Sequence, residues 1–459
     1  MELTHAQHTP QPVSPAAPYS APQFPPRRVA FLLNNEFRFD NRVRREAETL
    51  ADAGLEVTVL CVADTSLPSH ETRHTARGRT WWVHRCFGRR LHRERLLSSR
   101  AWRAVAAMVW HYRSTPFDIV HAHDANTLLP GWLLSRLWRA PLVYDSHEYW
   151  HALFQEQVDI LSARVGELPP KELNKRLGWA QQADRLEPWL MVRAHQVITV
   201  GHAIAERLHQ RMAQGLPPGV VAPPPVHVVM NAWEYVPDEA LAPAGAAAPP
   251  RLFHEAYALP RETRVMVYQG QIAEKRGLGR LVDAMAAYAE IHGVPPLALV
   301  MMGPVLPGDQ AFYATLCTRI AQDATLKNRV FLKPAVPPEA LLRWTASADL
   351  GVHPILNTGP NHYFCMPNKI FEYLQAGLPM ATSNFPEMQA IVDTYGLGFT
   401  FDPEQPAALA QQLAGLFAQP QRLETYRAQV RRAKQSLSWE AQVPMLLTVY
   451  QNVLRQQAV

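Results

Sequence analysis

The chain has 459 residues, more than one hydrophobic core usually supports, so two domains are expected. With 47% hydrophobic and 19% charged residues it is a folded globular protein, and 40 prolines against 22 glycines imply many rigid turns. A net charge of +5, gathered in one segment and not along a surface with interleaved aromatics, argues against nucleic acid as a partner.

Cys61, Cys86, Cys317 and Cys365 include no close pair, which argues against a disulfide framework or a zinc site and fits a reducing compartment. No apolar run approaches the length of a bilayer span, and the first residues lack the basic and then apolar regions of a signal peptide. A cytoplasmic location is the expectation.

Residues 1–26 carry Pro10, Pro12, Pro15, Pro18, Pro22, Pro25 and Pro26, a composition expected to form a flexible tail. From Arg28, RVAFLL predicts a strand, NNEFRFDN a polar loop, and Val43, Ala47 and Leu50 the buried stripe of a helix that Gly54 ends. LEVTVLCV follows as a second strand. Both strands are apolar on both faces, which predicts a parallel sheet covered by helices. Arg85, Arg89, Arg90, Arg93, Arg95, Arg100 and Arg103 then crowd one segment with Trp81, Trp82 and Trp102. The segment suits either a solvated helix surface or peripheral contact with anionic lipid at the inner face of a membrane.

A helix around Trp102 to Tyr112 leads to the strand Asp118 to Asp124, and a helix from Leu128 to Trp138 leads to the strand Pro141 to Glu148. Both strands end in ionisable residues. In doubly wound sheets ligands bind beyond the carboxyl ends of strands, so two such ends point to one site. Gln196 to Val200 and a helix from Ala203 complete a first Rossmann-like domain over 27–213. The Pro-, Ala- and Gly-rich stretch 214–250 is expected to connect it to the rest, interrupted by a short strand at His227 to Met230. A second βα series over 251–435 has strands at Arg264 to Tyr268, Leu297 to Met302, Val330 to Leu332, Leu350 to His353 and Met380 to Thr382. Residues 436–459 form an amphipathic helix expected to pack back towards the first domain.

Within this second series, MPNKIFEYLQAGLPM (Met366 to Met380) is the most informative stretch. Pro367 suits a helix's first turn, Ile370, Phe371 and Leu374 share a stripe, and Gly377 with Pro379 marks the end. Asn368 and Lys369 fall in the first turn, where backbone N–H groups and the helix dipole favour an anion, and Glu372 lies one turn on. A cation and donors at the helix mouth with a deeper carboxylate suit a nucleoside diphosphate, its ribose hydroxyls donating to that carboxylate. A solvated Lys–Glu pair on a core helix is the plainer alternative. No Gly-x-Gly-x-x-Gly follows the first strand, where Asn34-Asn35-Glu36 stands, so a nicotinamide-dependent oxidoreductase is disfavoured.

Four motifs in this order, Val120 to Asp124, Tyr144 to Glu148, Tyr268 through Gly277, and Pro367 through Pro379, resemble the family-4 (group 1) glycosyltransferases. The resemblance spans Arg28 to Leu454. It implies the GT-B fold, an α/β architecture of two facing Rossmann-like domains with a cleft between them, the first holding the acceptor and the second the donor. It implies transfer from a UDP-, GDP- or ADP-linked sugar to a glycan or glycolipid acceptor, with retention of anomeric configuration and no cofactor.

Carried over by position, the resemblance makes His123 the histidine near the donor sugar, with Arg276 and Lys369 completing the catalytic set. Gly270, Lys275, Arg276, Asn368, Lys369 and Glu372 form the donor side. Arg42, Asp145, His147 and Glu148 form the acceptor side, although the residues themselves favour reading Arg42 as a charge on a helix surface. The sequence contains no Asp-x-Asp, so no metal is expected on the diphosphate. Two departures stand out. Phe364 occupies the place of a family glutamate, with Asn361 and His362 at hand to replace its sugar contacts, and Gln271 replaces an arginine. They keep open an alternative, a GT-B-fold binding or assembly subunit without catalysis.

Overall fold

The computed structural model describes residues 24–38, 40–63, 67–87, 106, 108–163, 170–216, 219, 222–242 and 250–457. The proline-rich tail through residue 23 and the arginine-rich stretch 88–105 therefore lie outside the described residues. The chain divides into two compact units. One holds the described residues up to Met230, with Gly359–Cys365 and the chain from Gln442; the other holds Asn231–Thr358 and Met366–Ala441.

The first unit is built on eight strands: β1 (Arg28–Leu33), β2 (Glu56–Ala63), β3 (His70–His74), β4 (Thr80–Phe87), β5 (Ile119–His123), β6 (Leu142–Ser146), β7 (Gln196–Thr199) and β8 (Val226–Val228). Their spatial order is β3-β4-β2-β1-β5-β6-β7-β8, with antiparallel pairing at β3–β4 alone among them. Every residue of β5, β6 and β7 is buried, as expected of parallel strands covered on both faces. The chain leaves β1 towards β2 and returns on the other side at β5, so the topological switch point lies between β1 and β5.

The second unit has six parallel strands: β9 (Arg264–Gln269), β10 (Leu297–Met302), β11 (Val330–Lys333), β12 (Leu350–His353), β13 (Met380–Ser383) and β14 (Gly398–Phe401). Their order, β11-β10-β9-β12-β13-β14, puts the switch point between β9 and β12. Met266 and Leu299 of the sheet pack with Leu281 and Val282 of the helix Leu278–Ala289 and with Leu413 of the helix Pro406–Phe417. That apolar layer packs both helices onto the sheet.

Two expectations are corrected. The segment around Trp81 to Arg85 is β4, not a helix surface: Trp81, Val83 and Arg85 alternate inward and are buried. Arg85 donates to Glu36 O at 3.0 Å, to Pro68 O at 3.0 Å and to Glu71 Oε2 at 2.7 Å, so neither Trp81 nor Arg85 faces a lipid surface. Pro367 is the residue before the helix Asn368–Gln375 and not its first residue. Within 214–250, Val226–Val228 extends the first sheet beside β7, while Trp233 O accepts from Trp439 N at 2.8 Å and Val236 N donates to Gln375 Oε1 at 3.0 Å in the second unit.

The end of the helix Trp439–Gln457 belongs to the first unit, where Tyr450 is fully buried with its hydroxyl 2.8 Å from His121 Nδ1. No helix among the described residues is long and apolar enough to cross a membrane.

Candidate functional site

At the first switch point, residues far apart in sequence meet inside the sheet edge. The pleat puts His121 and His123 on one face of β5, with their rings stacked 4.3 Å apart. Phe31 of β1 meets both edge-on, at 4.7 and 4.8 Å. Asp145 lies opposite His123 in register. The helix Asn41–Asp52 starts where the Asp40 carboxylate accepts from Val43 N at 3.2 Å, and its second residue, Arg42, turns inward.

The Arg42 guanidinium grips both oxygens of Asp145 at 3.1 Å, donates to Val229 O at 2.7 Å and meets Glu46 Oε1 at 3.1 Å. With 7% of its surface exposed it is no helix-surface charge, which corrects that expectation.

His147 completes the group, its Nε2 3.0 Å from Asp145 Oδ2 and 3.3 Å from His123 Nδ1. Asp124 carries positive φ (67°) at the end of β5, and its Oδ1 accepts from His147 N and from the Trp150 indole, both at 3.0 Å. A non-glycine residue in that region costs of order 1–3 kcal/mol, and these two bonds hold Asp124 there.

Burial would raise the Asp145 carboxyl, but the Arg42 guanidinium, then His147, hold it well below the usual carboxylate range. Burial and the adjacent Asp145 charge push Glu46 well above that range. Of the two acids, Asp145 is thus the one held in its charged form, and Glu46 the one that keeps a proton more readily. Burial lowers both His121 and His123, keeping them neutral. For His147 burial is outweighed by Asp124 and Asp145, which raise it to about 10, so it is an imidazolium.

Glu46, His121, His123 and Asp145 bring ligand-type atoms within 4.8 Å of one another, a set with the chemistry of a metal site. The Arg42 guanidinium already sits between its carboxylates and supplies the compensating positive charge. His123 Nε2, fully buried, has no partner among the described residues.

In the second unit the site is built from glycines and one helix mouth. Gly270 follows β9 with φ of 127°, and Gly303 follows β10; a Cβ on Gly303 would sit 1.8 Å from Gly270 O. Only bare backbone lets these two strand ends approach so closely. A Cβ on Gly270 would come within 2.5 Å of Lys369 Cε, because the lysine crosses directly over it towards the Tyr268 ring, 5.5 Å from Nζ.

One turn along the same helix, Glu372 accepts from Gln269 Nε2 at 2.5 Å. Asn368 is exposed at the helix start. The single 3-10 turn Glu274–Arg276 exposes Lys275, and the buried Arg276 Nε has no partner among the described residues. Gly277 (φ 75°) begins the next helix so close to Pro354 O that any Cβ would overlap it, which ties the loop after β9 to the loop after β12.

Residues 39–232 match the family described as glycosyl transferase 4-like domain, and residues 263–419 the family described as glycosyl transferases group 1. The chain belongs to the group 1 glycosyltransferases. This glycosyltransferase is 25% identical over 347 residues to the D-inositol 3-phosphate glycosyltransferase of Thermobispora bispora, covering 75% of this chain and 72% of that one. Among solved structures, sucrose-phosphate synthase from Thermosynechococcus elongatus superposes with a TM-score of 0.69 at 18% identity, over 94% of this chain and all of that one (100%). Anabaena HepE, solved with UDP and glucose, superposes with a TM-score of 0.61 at 17% identity, over 94% of this chain and 99% of that one. These likenesses show the fold, two parallel-sheet α/β units of the GT-B kind.

The glycosyltransferase thus brings Arg42, Asp145, His147 and His123 together in one unit, and Gly270, Lys369 and Glu372 together in the other. Glu148 accepts from Asn361 Nδ2 at 2.5 Å, while Asn361 Oδ1 accepts from Tyr149 N at 2.8 Å. Both ends of the Asn361 amide thus have partners within the first unit. Phe364 lies under the Arg207 guanidinium, 3.3 Å from its ring centroid, and Gln271 donates to Asp309 at 2.6 Å.

Sequence reasoning missed Gln269, Glu46 and the role of Asp124. Asp124, the last residue of its motif, carried a usable signal in its charge; Gln269 carried none beyond being polar at the end of an apolar run, and Glu46 none that set it apart from the charged residues around it.

Proposed function

We propose that this glycosyltransferase moves a sugar from a nucleoside-diphosphate donor to a hydroxyl acceptor with retention of configuration and without a metal. The observation that carries this reading is Lys369 lying across Gly270, with Glu372 one helical turn deeper. Transfer leaves negative charge on the departing diphosphate, and a cation beside bare backbone at a helix mouth is suited to stabilise it.

Arg276 and Lys275 add charge from the loop after β9, and Glu372 accepts from the ribose hydroxyls. His123 offers Nε2 to a sugar hydroxyl. His147, held by Asp145 and Asp124, and Arg42, held by Asp145, keep that histidine in place and border the acceptor. The acceptor oxygen bonds to the anomeric carbon on the face from which the diphosphate departs, and a phosphate oxygen of that leaving group takes the acceptor proton, so neither a protein nucleophile nor a protein base is required. The complex of HepE with UDP-glucose supports a UDP-linked sugar, and the inositol phosphate glycosyltransferases support a polyol or glycan hydroxyl as acceptor.

The test is a thermal-shift series with UDP, GDP, ADP and their sugar conjugates. A nucleotide at about 100 times its Kd adds about 2.7 kcal/mol to native stability. One nucleotide should raise the melting temperature, and Lys369→Ala and Glu372→Ala should each lose most of that rise while melting normally without ligand. If no nucleotide shifts the native protein, the donor assignment is wrong. Turnover lost on chelation would overturn the metal-free reading, and an inverted product anomer would overturn retention.

A further inference from the structure

We propose that Gln269 is a positioning residue for the donor site: its amide, braced by Thr345, aims the Glu372 carboxylate and so sets how strongly the protein prefers a ribonucleotide to one lacking ribose hydroxyls. This rests on the reading of Glu372 as the acceptor of those hydroxyls.

Gln269 is the last residue of β9 and 2% exposed; Thr345, in the helix Pro338–Ala346, is wholly buried. Gln269 Nε2 donates to Glu372 Oε2 at 2.5 Å, and Gln269 Oε1 accepts from Thr345 Oγ1, also at 2.5 Å. An ionised carboxylate only accepts, so the amide must turn its nitrogen to Glu372 and its oxygen to Thr345. The Thr345 hydroxyl also lies 2.8 Å from Leu341 O, but it has one proton. The flipped amide would leave the hydroxyl free to donate to that carbonyl while setting two acceptors against each other at Glu372.

The terminal torsion of a glutamate is broad, and an unbraced carboxylate samples many orientations. Fixing it beforehand spares ribose binding the cost of ordering it. The brace is neutral and buried, so it orients Glu372 without adding charge to the site.

Calorimetry with UDP and with 2′,3′-dideoxy-UDP, or with the corresponding pair for another base if the thermal shift favours one, tests this. The protein should prefer the ribonucleotide. Gln269→Leu should weaken UDP binding about tenfold while leaving the dideoxynucleotide unchanged, so that the preference collapses. Thr345→Val should act in the same direction with a smaller effect, and it carries the test if Gln269→Leu fails to fold. Equal weakening of both nucleotides, or an unchanged preference, overturns the proposal. Glu372→Ala, which removes the acceptor, separates the two ideas: a preference unchanged in that variant refutes the ribose reading itself, whereas one lost there but kept in Gln269→Leu refutes only the brace.

Discussion

His147 shows how burial and charge compete at one residue. Alone, burial would leave its imidazole neutral, yet Asp124 and Asp145 raise it from 6.5 to about 10. A base whose folded pKa lies above its unfolded value contributes stability that is fully present below about pH 6.5 and lost as pH rises through about 10. From about pH 7.5 to 9.5 the native protein should lose stability at up to about 1.4 kcal/mol per pH unit, and His147→Gln should flatten that slope in denaturant titrations. The window avoids Glu187, whose buried carboxyl is pushed up to about 7. An equal slope in both proteins would show that His147 is not charged. At this scale Lys369 and Glu372 were legible because helical spacing puts residues three apart on one face. Arg42 was half legible: its position after the first strand was plain, but its inward turn depends on Asp145, 103 residues away.

Among elements, the glycine contact between the ends of β9 and β10 is one of the tight constraints in the second unit. Gly303→Ala would drive a Cβ to 1.8 Å from Gly270 O, so the strand ends must separate. We expect a loss of more than about 2 kcal/mol and weaker nucleotide binding. Gly415→Ala is the matching control. It lies in the helix Pro406–Phe417 with nothing within 4 Å of the added methyl, and should gain about 0.5–1 kcal/mol in thermal or denaturant melts. Equal effects at the two positions would contradict the close-approach argument. Strands such as LALVMM were legible as unbroken apolar runs. β4 was not, because its tryptophans and Arg85 resemble an amphipathic surface until cross-strand partners in β2 and β3 satisfy them.

For the whole molecule, nucleotide should protect one unit and not the other. In hydrogen exchange, UDP should slow the amides of Gly270 to Leu278 and Asn368 to Gln375 and leave β1, β2 and β5 unchanged; protection confined to the first sheet would reverse the assignment of donor to unit. The sequence by itself determined that there are two parallel α/β sheets, and that cations and carboxylates stand after their strands, because hydrophobic period and helix punctuation are local properties. The tertiary structure alone decided which partner each of those groups holds. Asn361 proved to be bound to Glu148, Asp145 to Arg42, and Glu372 to Gln269. A buried polar side chain must find its partner wherever the fold brings one within about 3 Å, and no spacing along the chain encodes that distance.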